Sequence, residues 1–172
     1  MLKLPLLAAA IAAVALVAAS PLLAGPDDVK LPENYQSAFT RYMVVDHLGR
    51  NRARYMYVNL EADQQAKPGE PLPDGTILIM EDHDAQVGAD GKPLKDAHGR
   101  IIPKTEVKNI FVMEKNSAWS TDNGNWDYAW HTPDGKLNAK FDKYDRCFSC
   151  HTSQVERDFN FPYSKHVIDR AK

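Results

Sequence analysis

The pentapeptide Cys147-Phe148-Ser149-Cys150-His151 constrains this chain more than any other segment, because it holds the only two cysteines in 172 residues. Cys-x-x-Cys-His is the attachment signature of a c-type haem. Two thiols at this spacing can each form a thioether with one haem vinyl group, and the adjoining imidazole is then held against the iron. We therefore expect one covalent haem c on Cys147 and Cys150, with His151 as the proximal iron ligand.

Three other interpretations of the motif stay open from the sequence. A structural zinc site normally recruits four protein donors, and the chain has no second cysteine pair. A thioredoxin-type dithiol would open a helix after a parallel strand, and residues 136–146 contain no clean run of that kind. A plain disulfide would make the following histidine accidental. The motif therefore favours haem attachment over all three.

The N-terminal segment resembles an export signal. Residues 1–24 carry one lysine and no acid, and from Leu4 onward only Pro5, Ser20 and Pro21 interrupt the apolar run. This pattern predicts a secretory signal peptide cleaved after Ala24, with an uncleaved membrane anchor as the alternative. Covalent haem attachment of this kind takes place outside the cytoplasm. Both ends of the chain thus predict export, to the periplasm in a bacterial cell.

Residues 25–172 are the right length for one domain. The formal net charge of −2 argues against a nucleic-acid partner, which would favour a basic face. Periodicity predicts short helices at 34–39, 60–66 and 142–153, and strands at 41–46, 53–58, 76–80, 107–114 and 125–130.

The connections between these elements also carry signals. Residues 82–105 contain two turn signals and predict a protruding hairpin whose acids, Asp82, Asp84 and Asp90, are solvated and not calcium ligands. Strands joined by hairpins form an antiparallel sheet. The expected class is α+β, mainly antiparallel β.

Several segments in this order resemble the family of cytochrome P-460 and cytochrome c′-beta. They are Leu31-Pro32-Glu33-Asn34-Tyr35, Tyr57-Val58-Asn59, Pro73-Asp74-Gly75-Thr76, Gly124-Asn125-Trp126 and the late motif at 147–151. The resemblance implies a single antiparallel sheet with a few helices, a homodimer, and one haem c on one face of the sheet. Arg50, Arg52 and Arg54 are either partners of the haem propionates or ordinary solvated arginines, and Arg54 alone matches a basic position of the family.

One position departs from the family pattern. Cytochromes P-460 proper carry a lysine in the sequence G-T-x-x-x-K-E, which cross-links to the porphyrin and accompanies hydroxylamine oxidation. Here the segment is Gly75-Thr-Ile-Leu-Ile-Met80-Glu81, and a thioether cannot supply the amine for that bond. The chain therefore looks more like cytochrome c′-beta, which binds nitric oxide at an ordinary haem c.

Strand alternation places Met80, Leu78 and Thr76 on one face, which the resemblance directs toward the haem. Met80 is then either apolar packing or a sixth iron ligand. Met43, Met56 and Met113 are further ligand candidates, and each is expected in the core. His131 is either a distal ligand or proton donor or, as we favour, a surface or loop histidine. Glu81 and Glu114 are either proton shuttles or exposed acids. The family's distal phenylalanine falls in a segment shortened here, where Arg50 or Asn51 stands instead, which argues against a strictly apolar distal pocket.

The function expected from these features is a periplasmic monohaem cytochrome that binds nitric oxide or turns over a small nitrogen oxide, in which case it would be a haem oxidoreductase. The alternative is an electron-transfer cytochrome with a six-coordinate haem and a periplasmic redox partner. Hydroxylamine oxidation without the cross-link is the remaining hypothesis.

Overall fold

The computed structural model describes residue 25 and residues 28–119, 121–140 and 145–172. The signal peptide predicted at residues 1–24 lies outside these ranges. The strands are β1 (Phe39–His47), β2 (Arg52–Asn59), β3 (Ile77–Asp84), β4 (Asn109–Lys115) and β5 (Trp126–His131). The helices are α1 (Tyr35–Ala38), α2 (Leu60–Gln65), α3 (Asp145–His151) and α4 (Tyr163–Arg170), and a 3₁₀ helix at Thr152–Arg157 follows α3.

The five strands form one antiparallel sheet in the order β1-β2-β3-β4-β5, so each strand pairs with its neighbour along the chain. This confirms the α+β class with a single antiparallel sheet and a few helices. The bounds of the first two strands and of α2 lie within one or two residues of those predicted. Only β1 and β2 are joined by a tight turn, through a 3₁₀ helix at Leu48–Arg50, and longer segments connect the remaining antiparallel strands.

Pairing register divides the sheet into two faces. On the first face, Met56 lies opposite Met80, Met80 opposite Phe111, and Phe111 opposite Trp130. On the second face, the corresponding row is Tyr57, Ile79, Val112 and Ala129. The first face packs partly against α2 and α4, and the second against the segment around Val29 and Tyr35.

The prediction that the third strand ends at Met80 was wrong. β3 continues through Glu81, Asp82 and His83, all three of them buried, to Asp84. Sequence polarity predicts a loop here, but β2 supplies partners for the strand: Arg54 and Arg52 both contact the Asp82 carboxylate. Asp82 is therefore a buried ion-paired residue and not the solvated loop acid that the sequence indicated.

The long polar segment that follows β3 does not protrude as a free hairpin. Its turns form where predicted, but bridges at Ala85–Pro103 and Lys95–Ile101 fold it compactly. Arg100 donates to the Val44 carbonyl at 2.9 Å, and the Ile101 amide donates to Asp46 Oδ2 at 3.0 Å. The segment thus lies against β1.

Candidate haem site

The motif at 147–151 lies on α3, as predicted. Cys147, Cys150 and His151 are three and four residues apart and therefore share one side of the helix. All three line a cavity of about 460 Å³ whose opposite wall is the first face of the sheet. This volume falls in the range of small-molecule and cofactor sites.

The sheet contributes mainly apolar side chains to the cavity. Met56, Met80 and Phe111, one from each of three adjacent strands, form a row across the wall. The Phe111 ring stacks on Trp130 with 5.5 Å between ring centroids, which fixes its orientation. Leu78, Met113 and Tyr128 form the next row toward the other end of the strands.

His151 is held by contacts on three sides. Its Nδ1 donates to the Phe159 carbonyl at 2.5 Å, and its ring lies 4.8 Å from the Tyr128 ring and 5.1 Å from the Phe161 ring. Burial lowers the pKa of His151, although the hydrogen bond that the ring donates to the Phe159 carbonyl opposes this effect. A neutral imidazole protonated at Nδ1 leaves Nε2 as the nitrogen that can bind a metal.

The two cysteines are free thiols in different surroundings, Cys147 half-buried and Cys150 exposed. Burial, followed by the charges of Cys150 and Asp127, raises the pKa of Cys147 to about 11. The thiol is therefore protonated at neutral pH, unlike the activated cysteine of a redox dithiol. The antiparallel sheet also lacks the parallel strand that a thioredoxin-type motif would follow, within the residues described here.

A zinc interpretation lacks further ligands. Among the described residues, no three His, Cys, Asp or Glu side chains are grouped so that they could hold a metal ion. A haem, by contrast, needs from the protein two thiols, an oriented imidazole and an apolar cavity, all of which meet here. The residues present therefore fit a haem c.

Arg54 lies at one end of the cavity. Its Nε donates to Asp82 Oδ1 at 2.8 Å, and Arg52 donates to the other oxygen of the same carboxylate at 2.7 Å. The Asp82 side chain is fully buried, while that of Arg54 is about one fifth exposed. The anion thus fixes the guanidinium at the cavity edge, where its outer nitrogens can bind a carboxylate.

Several candidates from the sequence lie away from the cavity. His131 is buried opposite Ile110, on the second face of the sheet, so it is neither a distal ligand nor a surface histidine. Glu81 is also buried on that face and is not an exposed acid. Arg50 and Asn51 are exposed at the β1–β2 turn and do not line the cavity. Arg50 and Asn51 therefore give no reason to doubt a strictly apolar pocket, although Arg54 and Asn160 do line the cavity.

The sequence argument missed Phe111 as the aromatic residue of the cavity. Its position was accessible from alternation, because Phe111 and Met113 are two residues apart on β4 and therefore share a face. What the sequence lacked was the register that brings Phe111 opposite Met80. The same register brings Met56 and Met113 into the cavity wall, and Met43 does not line it.

Comparison with known proteins identifies one family. The family model described as Cytochrome P460 matches residues 32–162, which span the sheet, α3 and the turn that contacts His151. A search of the curated proteins gave no match.

Proposed function

The chain belongs to the cytochrome P460 family, and from this premise we propose that it binds nitric oxide, or turns over a small nitrogen oxide, at the iron of its haem c. Membership of the family implies the covalent haem c itself. The proposal concerns what the iron does, and the side chains that surround the cavity support it.

The observation that carries the proposal is the apolar wall opposite the cysteine motif. Met56, Met80 and Phe111 present two thioethers and a phenyl ring to the cavity. A small uncharged ligand such as nitric oxide can enter an apolar space without losing strong hydrogen bonds to water, whereas an ion cannot. The wall therefore selects for neutral diatomic or triatomic ligands.

Four of the polar residues around the cavity would hold the haem. The Cys147 and Cys150 thiols would form the two thioether bonds, and His151 would bind the iron through Nε2. Arg54, oriented by Asp82, would hold a propionate and so fix the rotation of the macrocycle. The bound haem supplies ligand binding and one-electron chemistry at iron.

Met80 supports the choice of nitric oxide over hydroxylamine. It lies on the cavity wall, where the resemblance places the cross-linking lysine of cytochromes P-460 proper. A thioether has no amine to bond to the porphyrin. We expect an ordinary haem c spectrum and not the red-shifted Soret band of a cross-linked macrocycle.

The presence of two thioethers in the cavity supports electron transfer as a second candidate function. If Met80 or Met56 binds the iron, the sixth position is closed and the reduction potential is raised. The haem would then exchange electrons with a partner without binding a substrate.

The ferrous protein separates these functions. We expect its absorption and electron paramagnetic resonance spectra to change when nitric oxide is added, with one ligand bound per haem. A low-spin ferrous spectrum that is indifferent to nitric oxide would refute gas binding. If that low-spin state disappears in Met80→Ala but persists in the control Met43→Ala, Met80 is the sixth ligand.

We further propose that residues 1–24 direct export to the periplasm, where a redox partner would supply or accept electrons. No helix within the described ranges is long and apolar enough to cross a membrane. We also propose a homodimer, in line with the family resemblance. Sedimentation of the haem-loaded protein tests this, with twice the mass of one chain as the expected result and a single-chain mass as the refuting one.

A further inference from the structure

Two consecutive residues before α4 have a left-handed backbone. Asp158 has φ 52° and Phe159 has φ 59°. Asp tolerates this conformation, but a bulky aromatic residue rarely adopts it. Such strained residues persist only where their surroundings hold them, and they concentrate at functional sites. The Phe159 carbonyl is the group that accepts the hydrogen bond from His151 Nδ1 at 2.5 Å.

An ion pair holds the Asp158 side chain. Lys115 Nζ on β4 lies 2.8 and 2.7 Å from the two carboxylate oxygens of Asp158, and both side chains are about nine-tenths buried. Asp158 Oδ2 also accepts the Leu72 amide at 2.8 Å. Asp158 is thus tied at once to the sheet and to the segment before β3.

The Phe159 ring packs against the turn that precedes β5. A Cβ added to Gly124, at the turn before β5, would lie 2.6 Å from the Phe159 ring. Only glycine allows the ring to pack so closely against this turn, and the positive φ of 67° at Gly124 also favours glycine. The backbone amides of Asp158 and Phe159 donate to Val155 and Gln154, which ties the turn to the 3₁₀ helix after α3.

We propose that Lys115 and Asp158 are positioning residues that set the reduction potential of the haem by holding the Phe159 carbonyl on His151 Nδ1. The inference rests on the proposed role of His151 as proximal ligand. It does not depend on which ligand binds the opposite side.

The hydrogen bond from His151 Nδ1 affects the reduction potential because it changes the basicity of the imidazole. A histidine that donates its second N–H to a fixed acceptor is a more basic metal ligand in a fixed orientation. A more basic ligand stabilises the oxidised iron relative to the reduced iron, which lowers the reduction potential. If the Lys115–Asp158 ion pair is lost, the strained turn at Asp158 and Phe159 relaxes. The hydrogen bond from His151 Nδ1 then weakens, and the reduction potential of the haem rises.

If Lys115 and Asp158 acted on the haem only through their charges, the variants would shift the reduction potential differently, and this difference makes the proposal testable. Lys115→Met leaves a buried negative charge, which by itself lowers the potential. Asp158→Asn leaves a buried positive charge, which by itself raises it, and Asn retains the tolerance of a left-handed backbone. The double variant Lys115→Met/Asp158→Asn removes both charges, so the net charge around the turn is the same as in the native protein and the electrostatic effects of the two substitutions oppose each other.

The experiment is spectroelectrochemistry on the haem-loaded protein. We expect the potential to rise in the double variant and in Lys115→Met, despite the opposite electrostatic effect in the latter, and to stay near that of the native protein in Lys115→Arg. Asp63→Asn is the matched control, because it perturbs the partly buried Asp63–Arg170 pair and the hydrogen bond from Tyr163, neither of which involves Asp158 or Phe159. It should leave the potential unchanged.

The stretching frequency of the iron–histidine bond, measured by resonance Raman spectroscopy on five-coordinate ferrous protein, is the second readout. We expect it to fall in the double variant. An unchanged potential in the double variant, with shifts of opposite sign in the two single variants, would show electrostatics alone and overturn the proposal. Nitric oxide binding is measured separately, so either proposal can fail without the other.

Discussion

On the second face of the sheet, the Glu81 carboxylate is a hydrogen-bond acceptor shared by side chains of α1, β2 and β3. Glu81 is fully buried and accepts hydrogen bonds from Tyr35, Tyr57, Gln36 and His83. Its burial is a cost that only this set of donors offsets. Glu81 and Met80 are consecutive residues of β3, and their side chains point to opposite faces of the sheet. The hydrogen bonds of Glu81 on the second face therefore help to hold the strand that presents Met80 to the cavity.

The first prediction is that Glu81→Gln destabilises the protein by about 3 kcal/mol, because it leaves His83 and the two phenols without their shared anion. The free energy of unfolding, measured by urea denaturation of the haem-loaded protein, checks this. Glu61→Gln is the control on the exposed surface of α2 and should change stability by less than about 0.5 kcal/mol. Equal effects of the two substitutions would contradict the role of Glu81.

The second prediction concerns the pH dependence of stability. Burial raises the pKa of Glu81, but hydrogen bonds from His83, Tyr35, Gln36 and Tyr57 outweigh it and lower that pKa below 4.5. Burial opposes the charge of His83, but Glu81 and the Lys104 and Glu106 carbonyls raise its pKa above 6.5. The Glu81 contribution is therefore lost as the pH falls below 4.5, and the His83 contribution is lost as the pH rises through its folded pKa.

The measurement compares the native protein with His83→Gln from pH 5 to pH 9. We expect the difference in unfolding free energy between them to be largest near pH 5 and to shrink as the pH rises. A difference that grows with pH would mean that His83 is neutral beside Glu81.

At the scale of elements, β3 depends on partners that lie on β2. The third prediction is that Asp82→Asn lowers the unfolding free energy by about 3 kcal/mol, since it leaves Arg52 and Arg54 without their buried anion. Asp84→Asn breaks more exposed pairs with Arg52 and Lys108 and should cost no more than about 1 kcal/mol. Similar losses for both variants would show that burial of Asp82 contributes nothing.

The fourth prediction concerns the turn before β5. Gly124→Ala adds a Cβ that collides with the Phe159 ring at a positive φ, and we expect a loss of about 3 kcal/mol. Gly135→Ala is the control, with a φ of +81° but no contact closer than 3.8 Å. It should cost only about 1 kcal/mol for the backbone conformation. Equal losses by thermal unfolding would show that Phe159 does not pack against the turn.

Helices and strands were predicted correctly where the residues of the element itself determine its secondary structure. Strands β1 and β2 and helix α2 follow from β-branched and aromatic runs and from turn residues. The extension of β3 could not be predicted, because Glu81 to Asp84 are all polar and their partners are distant in sequence. Asp82 is buried against two arginines on β2, and Glu81 against Tyr35 and Tyr57. The surroundings of His131 were missed for a similar reason, since its burial depends on the register between β4 and β5.

At the scale of the molecule, two surfaces from distant parts of the chain enclose the cavity. The motif on α3 indicated the haem and its proximal ligand, but no local pattern shows what lies opposite. Only the order and register of the sheet place Met56, Met80 and Phe111 together. We therefore expect a ligand of the iron to occupy the space between the haem and this row of side chains.

The rate of nitric oxide release tests that claim most directly. Phe111→Leu shortens a side chain in the cavity wall, and we predict faster release by about tenfold, which corresponds to a barrier lower by about 1.4 kcal/mol. Phe39→Leu makes the same change on β1 among residues of the opposite face and should leave the rate within about twofold. Equal release rates in the two variants and the native protein would contradict the account.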